Sequence, residues 1–132
     1  MTEFLTIEDL LYLCDELGGL QVRDLGLLES AVARPRTSLI GDDAYPSVHE
    51  KAAVLLESLV RNHPLVDGNK RLGWMAVETF YYLNDIILDA PATDEFADAY
   101  DLVLAVASGQ LDYRETVASL VLWTRPAHQQ DR

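Results

Sequence analysis

A chain of 132 residues, 49% of them apolar, is the size of one domain with one substantial core. Its formal charge of −12 argues against a nucleic-acid partner, which needs a basic surface. No apolar run approaches the roughly 20 residues of a membrane span, which excludes a helical membrane protein. The start, Met1-Thr2-Glu3-Phe4, is acidic and lacks the basic-then-apolar order of a signal peptide. The single cysteine, Cys14, excludes an internal disulfide and fits a reducing cytoplasm. The charge is uneven: residues 34–71 hold six of the ten cations against five carboxylates, leaving that segment at +1 and the remainder at −13. A small cationic pocket on an acidic body suits an anionic small molecule. The acidic surface itself is either plain solvation or a face for a basic partner.

Thr6 opens the first helix as N-cap, with Asp9 at the reciprocal position of a capping box. Leu10, Leu11, Cys14 and Leu17 form its apolar face, and Gly18-Gly19 ends it. A second helix runs from Asp24 to Arg34 with Leu25, Leu28 and Val32 inward, closed by Pro35. Residues 35–46 contain Pro35, Gly41, Asp42, Asp43 and Pro46 and are expected to be a loop without structure of its own. Such loops are more often functional than idle, which makes Arg36 and Tyr45 candidates for positioning a target.

Ser47 and Glu50 form the clearest capping box, opening a helix whose stripe of Ala52, Ala53, Leu55, Leu56, Leu59 and Val60 is broad enough to be central. His49 is expected on the exposed first turn of that helix, without a chemical neighbour. From about Asn69 to Leu83 the pattern repeats with Leu72, Met75, Ala76, Thr79, Phe80 and Leu83, and Asn84-Asp85 closes it. Ile86-Ile87-Leu88 is a buried connector. Asp94 to Ser108 is a fifth helix with Gly109 past its end, and Asp112 with Glu115 caps a sixth reaching Trp123. The tail, Arg125 to Arg132, is polar and expected to fray, so the domain is residues 1–124. With no hairpin signal, the class is all-α, a single bundle of about six helices.

Between the two central helices lies His63-Pro64-Leu65-Val66-Asp67-Gly68-Asn69-Lys70-Arg71. Pro64 disfavours helical geometry at His63 and stops one helix, and Gly68 allows the sharp turn into the next. A helix N-terminus offers free N–H groups and a positive dipole end, and Lys70 and Arg71 add full charges. His63 has the proton affinity of a general base near neutral pH. Asp67 beside phosphate-binding groups is a suitable Mg²⁺ ligand, since that ion takes one or two carboxylates plus phosphate oxygens and water. Asn69 can donate to a phosphate oxygen, and Arg71 can fork two of them where Lys70 acts as a point charge. The bland alternative is a capped loop with surface ion pairs. Other motifs fail: Gly68-Asn69-Lys70 lacks the earlier glycine and following Ser or Thr of a P-loop, and no second histidine completes a zinc-protease helix.

The nine residues resemble the signature of the Doc branch of the Fic family, His-x-Phe-x-Asp-Gly-Asn-Lys-Arg. Gly26 to Pro35, Ala44-Tyr45-Pro46 and Glu50 to Ala53 are similar to segments usually found upstream in that branch. The resemblance covers nearly the whole chain to about Trp123. It implies a bundle of about six helices with the motif loop between two central ones. It also implies a toxin of a toxin–antitoxin system that uses ATP and Mg²⁺ to phosphorylate a threonine or serine of a translation factor, elongation factor Tu foremost. Under it His63 is the base, Asp67 the Mg²⁺ ligand, and Asn69, Lys70 and Arg71 the phosphate binders, with Gly68 supplying backbone N–H groups. The implied partner is an antitoxin whose C-terminal segment folds on the toxin. The AMP-transferring branch has Gly where Lys70 stands and a second Arg where Trp74 stands, so both departures favour phosphate over AMP transfer. A non-catalytic binding module of the same fold is a further alternative, against which an intact His63 and Asp67 argue. Leu65 replaces the usual Phe and fills the core less fully, which predicts a looser loop.

Overall fold

The computed structural model describes residues 1–91 and 98–128. Six α-helices run through it in chain order: α1 Ile7–Glu16, α2 Leu25–Ala33, α3 Val48–Asn62, α4 Asn69–Leu83, α5 Asp98–Ala107 and α6 Tyr113–Trp123. The all-α class holds. Expected residues 94–97 of the fifth helix lie outside the described residues. Among the described residues no helix is long and apolar enough to cross a membrane.

Helix α3 is the axis, because every residue from Lys51 to Val60 is buried. The apolar stripe accounts for six of those ten residues, and the charged ones among the rest are paired. Lys51 Nζ reaches Asp43 at 3.1 Å and donates to the Tyr45 carbonyl. Glu57 sits between Arg34 at 2.9 Å and Arg61 at 3.2 Å, and Arg34 also donates to Ser58 at 3.1 Å. Buried charge persists only when compensated in this way. Against α3 lies α4, with Gly73 tight against Val60 and Leu56. A Cβ there would stand 2.6 Å from Val60 Cγ1. Only a glycine lets the two backbones approach so nearly, and that approach fixes the ends of the loop joining them.

In α1 the buried stripe is Leu10, Leu13 and Cys14, with Leu17 packed at its edge. Leu11, expected inward, is exposed because it stands one residue, about 100°, off that i, i+3, i+4, i+7 row. Leu25 is likewise exposed: it is the first residue of α2, and its Cβ leans past the end of the helix. Leu28 and Ala31 do the packing.

Two small ladders appear where none was expected. Arg34–Arg36 forms a 3₁₀ turn, and then β1 Ser38–Leu39 pairs antiparallel with β2 Asp42–Asp43. So residues 35–46 do have structure of their own. Ile40 and Gly41, both at positive φ (52° and 83°), make the tight turn. A β-branched residue in that conformation is unusual, which is why no hairpin signal was visible. The second ladder joins β3 Ile86–Leu88 to β4 Thr124–Pro126. Asp89 N–H donates to the Trp123 carbonyl and Ala127 N–H to the Asp85 carbonyl, at 2.8 and 2.9 Å. Arg125 and Pro126 are therefore held in a ladder rather than frayed.

Candidate active site

Helix α3 ends at His63 in the left-handed conformation, φ 54° and ψ 59°. The following proline disfavours the right-handed helical region there, so the chain turns out of the helix axis at the histidine itself. Pro64 and Leu65 then point inward, whereas His63, Val66 and Asp67 face solvent. Gly68, at φ 87°, turns the chain into α4. A Cβ on Gly68 would meet Leu20 Cδ1 at 2.8 Å, a side-chain end that can move aside, so it is the backbone angle that favours glycine.

Leu65 is 1% exposed. Its backbone is clasped by Asn69, whose side chain is buried. Leu65 N–H donates to Asn69 Oδ1 at 2.9 Å, and Asn69 Nδ2 donates to the Leu65 carbonyl at 3.2 Å. This corrects the expected role of the Asn69 side chain: its carboxamide is committed to the loop, and what it offers an anion is its main-chain N–H. A second clasp comes from residues 21–24. Val22 bridges Leu65, Val66 N–H donates to the Gln21 carbonyl at 2.9 Å, and the Pro64 carbonyl accepts from Arg23 N–H at 2.8 Å and Asp24 N–H at 3.0 Å. Sequence reasoning missed this strap because nothing local marks a pairing with a loop some 40 residues onward.

No side chain caps the N-terminus of α4. The first-turn N–H groups thus stay available, unlike those of α1, α3 and α6, which have capping boxes. The Gly68 N–H, however, is already engaged by Asp67 Oδ1 at 2.8 Å. Lys70 and Arg71 are exposed, and among the described residues neither is in an ion pair. His63, Asp67, Gly68, Asn69, Lys70 and Arg71 together line a cavity of about 290 Å³, with Val66 at its wall. The motif's expected residues are thus brought to one pocket: an imidazole, one carboxylate, two exposed cations and a helix end that no side chain caps.

His63 Nδ1 lies 3.4 Å from Asn69 Nδ2. That distance is long for a hydrogen bond, and it leaves the tautomer open. A base acting through Nε2 needs the proton on Nδ1, and the Asn69 amide, a donor here, then only touches the ring.

Arg36 and Tyr45 are not brought to this pocket. Arg36 lies over the Phe4 ring at 4.9 Å and donates to the Leu5 carbonyl at 3.5 Å. The Tyr45 hydroxyl accepts from Arg34 at 3.3 Å, and its ring stands edge-on to Tyr113 at 5.2 Å. Both pack the structured loop onto the bundle, away from the pocket. His49 also has a neighbour after all. Its Nδ1 is 2.8 Å from the hydroxyl of fully buried Tyr81, at the end of the α3–α4 pair remote from the motif. Burial lowers the imidazole below its usual range and raises the phenol above its own.

Beside the polar pocket, and sharing Lys70 and Arg71 with it, runs an apolar groove of about 360 Å³ floored by Trp74 and Met75. Glu78 closes it, its carboxyl raised by burial and drawn partly back by a hydrogen bond with Trp74. Among the described residues no three His, Cys, Asp or Glu side chains gather to hold a metal. Asp67 alone, exposed at the pocket rim, suits an ion that takes its other ligands from nucleotide phosphates and water. That fits Mg²⁺ and not a closed structural site.

Residues 3–81 match the family described as Fic/DOC. The chain is 48% identical over 122 residues to the protein named Toxin Doc of Mycolicibacterium smegmatis, covering 91% of this chain and 92% of that protein. A match over more than half the chain, together with identity at that level, is decisive: the chain belongs to the Fic/DOC family.

Proposed function

We propose that this chain is a Doc-type toxin whose activity is transfer of the γ-phosphoryl group of ATP to a threonine or serine hydroxyl. The target is a translation factor, elongation factor Tu foremost, and the outcome is arrest of protein synthesis. The observation that carries the reading is the one pocket that His63 lines together with an uncapped helix N-terminus and the exposed Lys70 and Arg71. Likeness to a protein named Toxin Doc supports the toxin role and, with it, an antitoxin partner; that this partner docks by a C-terminal segment, and that both act in the cytoplasm, is part of the proposal.

His63 accepts the proton of the target hydroxyl as that oxygen forms its bond to the γ-phosphorus. The bond from phosphorus to the bridging oxygen breaks, and ADP leaves with the electron pair. Arg71 forks the phosphate oxygens, Lys70 supplies a point charge, and the Asn69, Lys70 and Arg71 N–H groups receive the remaining negative charge. Asp67 would hold Mg²⁺, which supplies further neutralisation of the transferring group. To do so the carboxylate turns from Gly68, which frees that N–H for phosphate. Two features favour phosphate over AMP. Lys70 adds bulk and charge where the AMP-transferring branch has glycine, and Trp74 lines an apolar groove where that branch has a second phosphate clamp.

Incubation of the protein with a bacterial translation extract and either γ-labelled or α-labelled ATP tests the reading. Label on a translation factor from γ-labelled ATP alone is the expected result. Transfer from α-labelled ATP would refute it in favour of AMP transfer, and transfer from neither would leave the fold without this activity.

A further inference from the structure

Arg23 is outside the motif and outside the wall of the pocket, yet it grips the residue on which the chemistry turns. Its guanidinium donates through Nε and one terminal nitrogen to the His63 carbonyl, at 2.8 and 2.5 Å. The same terminal nitrogen reaches the Asn62 carbonyl at 3.2 Å. Its own N–H donates to the Pro64 carbonyl at 2.8 Å. One residue therefore holds three consecutive carbonyls, those of Asn62, His63 and Pro64. The first two belong to the end of α3, where carbonyls lack partners and a cation is favoured by the helix dipole.

An arginine capping a helix would be unremarked if the capped residue were inert. Here it is a histidine in the left-handed conformation, which an L residue adopts at a cost. The direction of its carbonyl is tied to that conformation, and so is the direction from which the imidazole leaves the backbone. The ring's contact with Asn69 is too long to orient it. The Arg23 fork is the stronger restraint. Because Arg23 and His63 are both exposed, water can replace the guanidinium at those carbonyls, so its loss costs the fold little. What loosens is the histidine.

We infer that Arg23 is a positioning residue for His63, fixing the aim of the imidazole at the phosphate pocket without touching nucleotide. The inference rests on His63 being the base of the proposed transfer. Misplacement of a reacting group by about 1 Å can cost on the order of 100-fold in rate. A partial release through Arg23→Ala is expected to cost about tenfold or more at saturating ATP, with KM for ATP within about twofold and thermal stability near wild type. Arg23→Lys is expected to fall between, since an ammonium meets one carbonyl but cannot fork two.

The experiment pairs those rates with nuclear magnetic resonance of the His63 imidazole in the full-length wild type, Arg23→Ala and Arg23→Lys. Changed ring signals in Arg23→Ala, graded back toward wild type in Arg23→Lys, support the inference. Unchanged ring signals overturn it. So does a rate loss that follows a rise in KM or a fall in Tm, or one equal in both variants. If the wild type transfers AMP, or nothing, the kinase reading fails by itself, and the ring signals still decide the role of Arg23.

Discussion

The nine residues between α3 and α4 have two sides that behave as different regions of the molecule. Pro64, Leu65 and Asn69 face inward and are spent on the fold: one apolar anchor, and one amide that satisfies the anchor's backbone. The side chains of His63, Asp67, Lys70 and Arg71 face outward and, among the described residues, bond to nothing outside the loop. The lesson is a division of labour at one-residue resolution. Neighbours in sequence answer to stability on one side and to chemistry on the other, and the inward side is what keeps the outward side in place. Substitutions on the two sides should therefore fail in different ways.

The largest effect belongs to the outward side. His63→Ala is expected to lower transfer by about 10²–10⁴, or about 3–5 kcal/mol of barrier, while circular dichroism and Tm stay at wild type. A folded variant with near wild-type rate would remove His63 from the mechanism. Next comes the inward side. Leu65→Ala is expected to cost about 2–5 kcal/mol in denaturant unfolding, because the site is fully buried and its surroundings are close-packed. Activity should fall with it. Were Leu65→Ala as stable as wild type, the contrast between the two sides would collapse.

A smaller effect sharpens the outward side. Arg71→Lys keeps the charge but loses the fork, and Asp67→Asn keeps the shape but loses the carboxylate. By calorimetric titration of ATP, each is expected to weaken binding by about 1.5–3 kcal/mol, the worth of hydrogen bonds to charged groups. Only Asp67→Asn should blunt the dependence on Mg²⁺. If both bind ATP as wild type does, the phosphate site lies elsewhere.

The smallest effect is at the far end of the same helix pair. Burial holds the His49 imidazole below its usual pKa of 6.5, so the folded state prefers the neutral ring. The unfolded chain takes the proton first on acidification, and the stability that depends on neutral His49 is lost as pH falls below about 6.5 toward the folded-state pKa. Tyr81, raised by burial, stays a protonated donor throughout. Melting curves between about pH 7.5 and 5.5 should slope less for His49→Gln than for wild type, with the loop chemistry unaffected by the substitution. Equal slopes would show that the His49–Tyr81 contact carries no titration.

What the sequence determined by itself was local. The boxes at Thr6 and Asp9, Ser47 and Glu50, and Asp112 and Glu115 all form as spacing demands, because a capping bond spans three residues and needs no other part of the chain. Pro64 ends α3 and Gly68 opens α4 for the same kind of reason, a restriction on one or two backbone angles. The membership of the motif was legible, and with it the family. Tertiary structure alone decided which way each residue of the motif points, and that is where the expectations shifted. Asn69 turns inward because the Leu65 N–H and carbonyl are buried and must be satisfied, a demand invisible until Leu65 has a core to enter. Arg36 and Tyr45 pack a small hairpin onto the bundle, and Ile86–Leu88 finds its partner at Thr124–Pro126. Arg23 meets His63 across 40 residues. Pairings at such distances are set by how helices pack, and packing is decided by complementary surfaces that no short window of sequence contains.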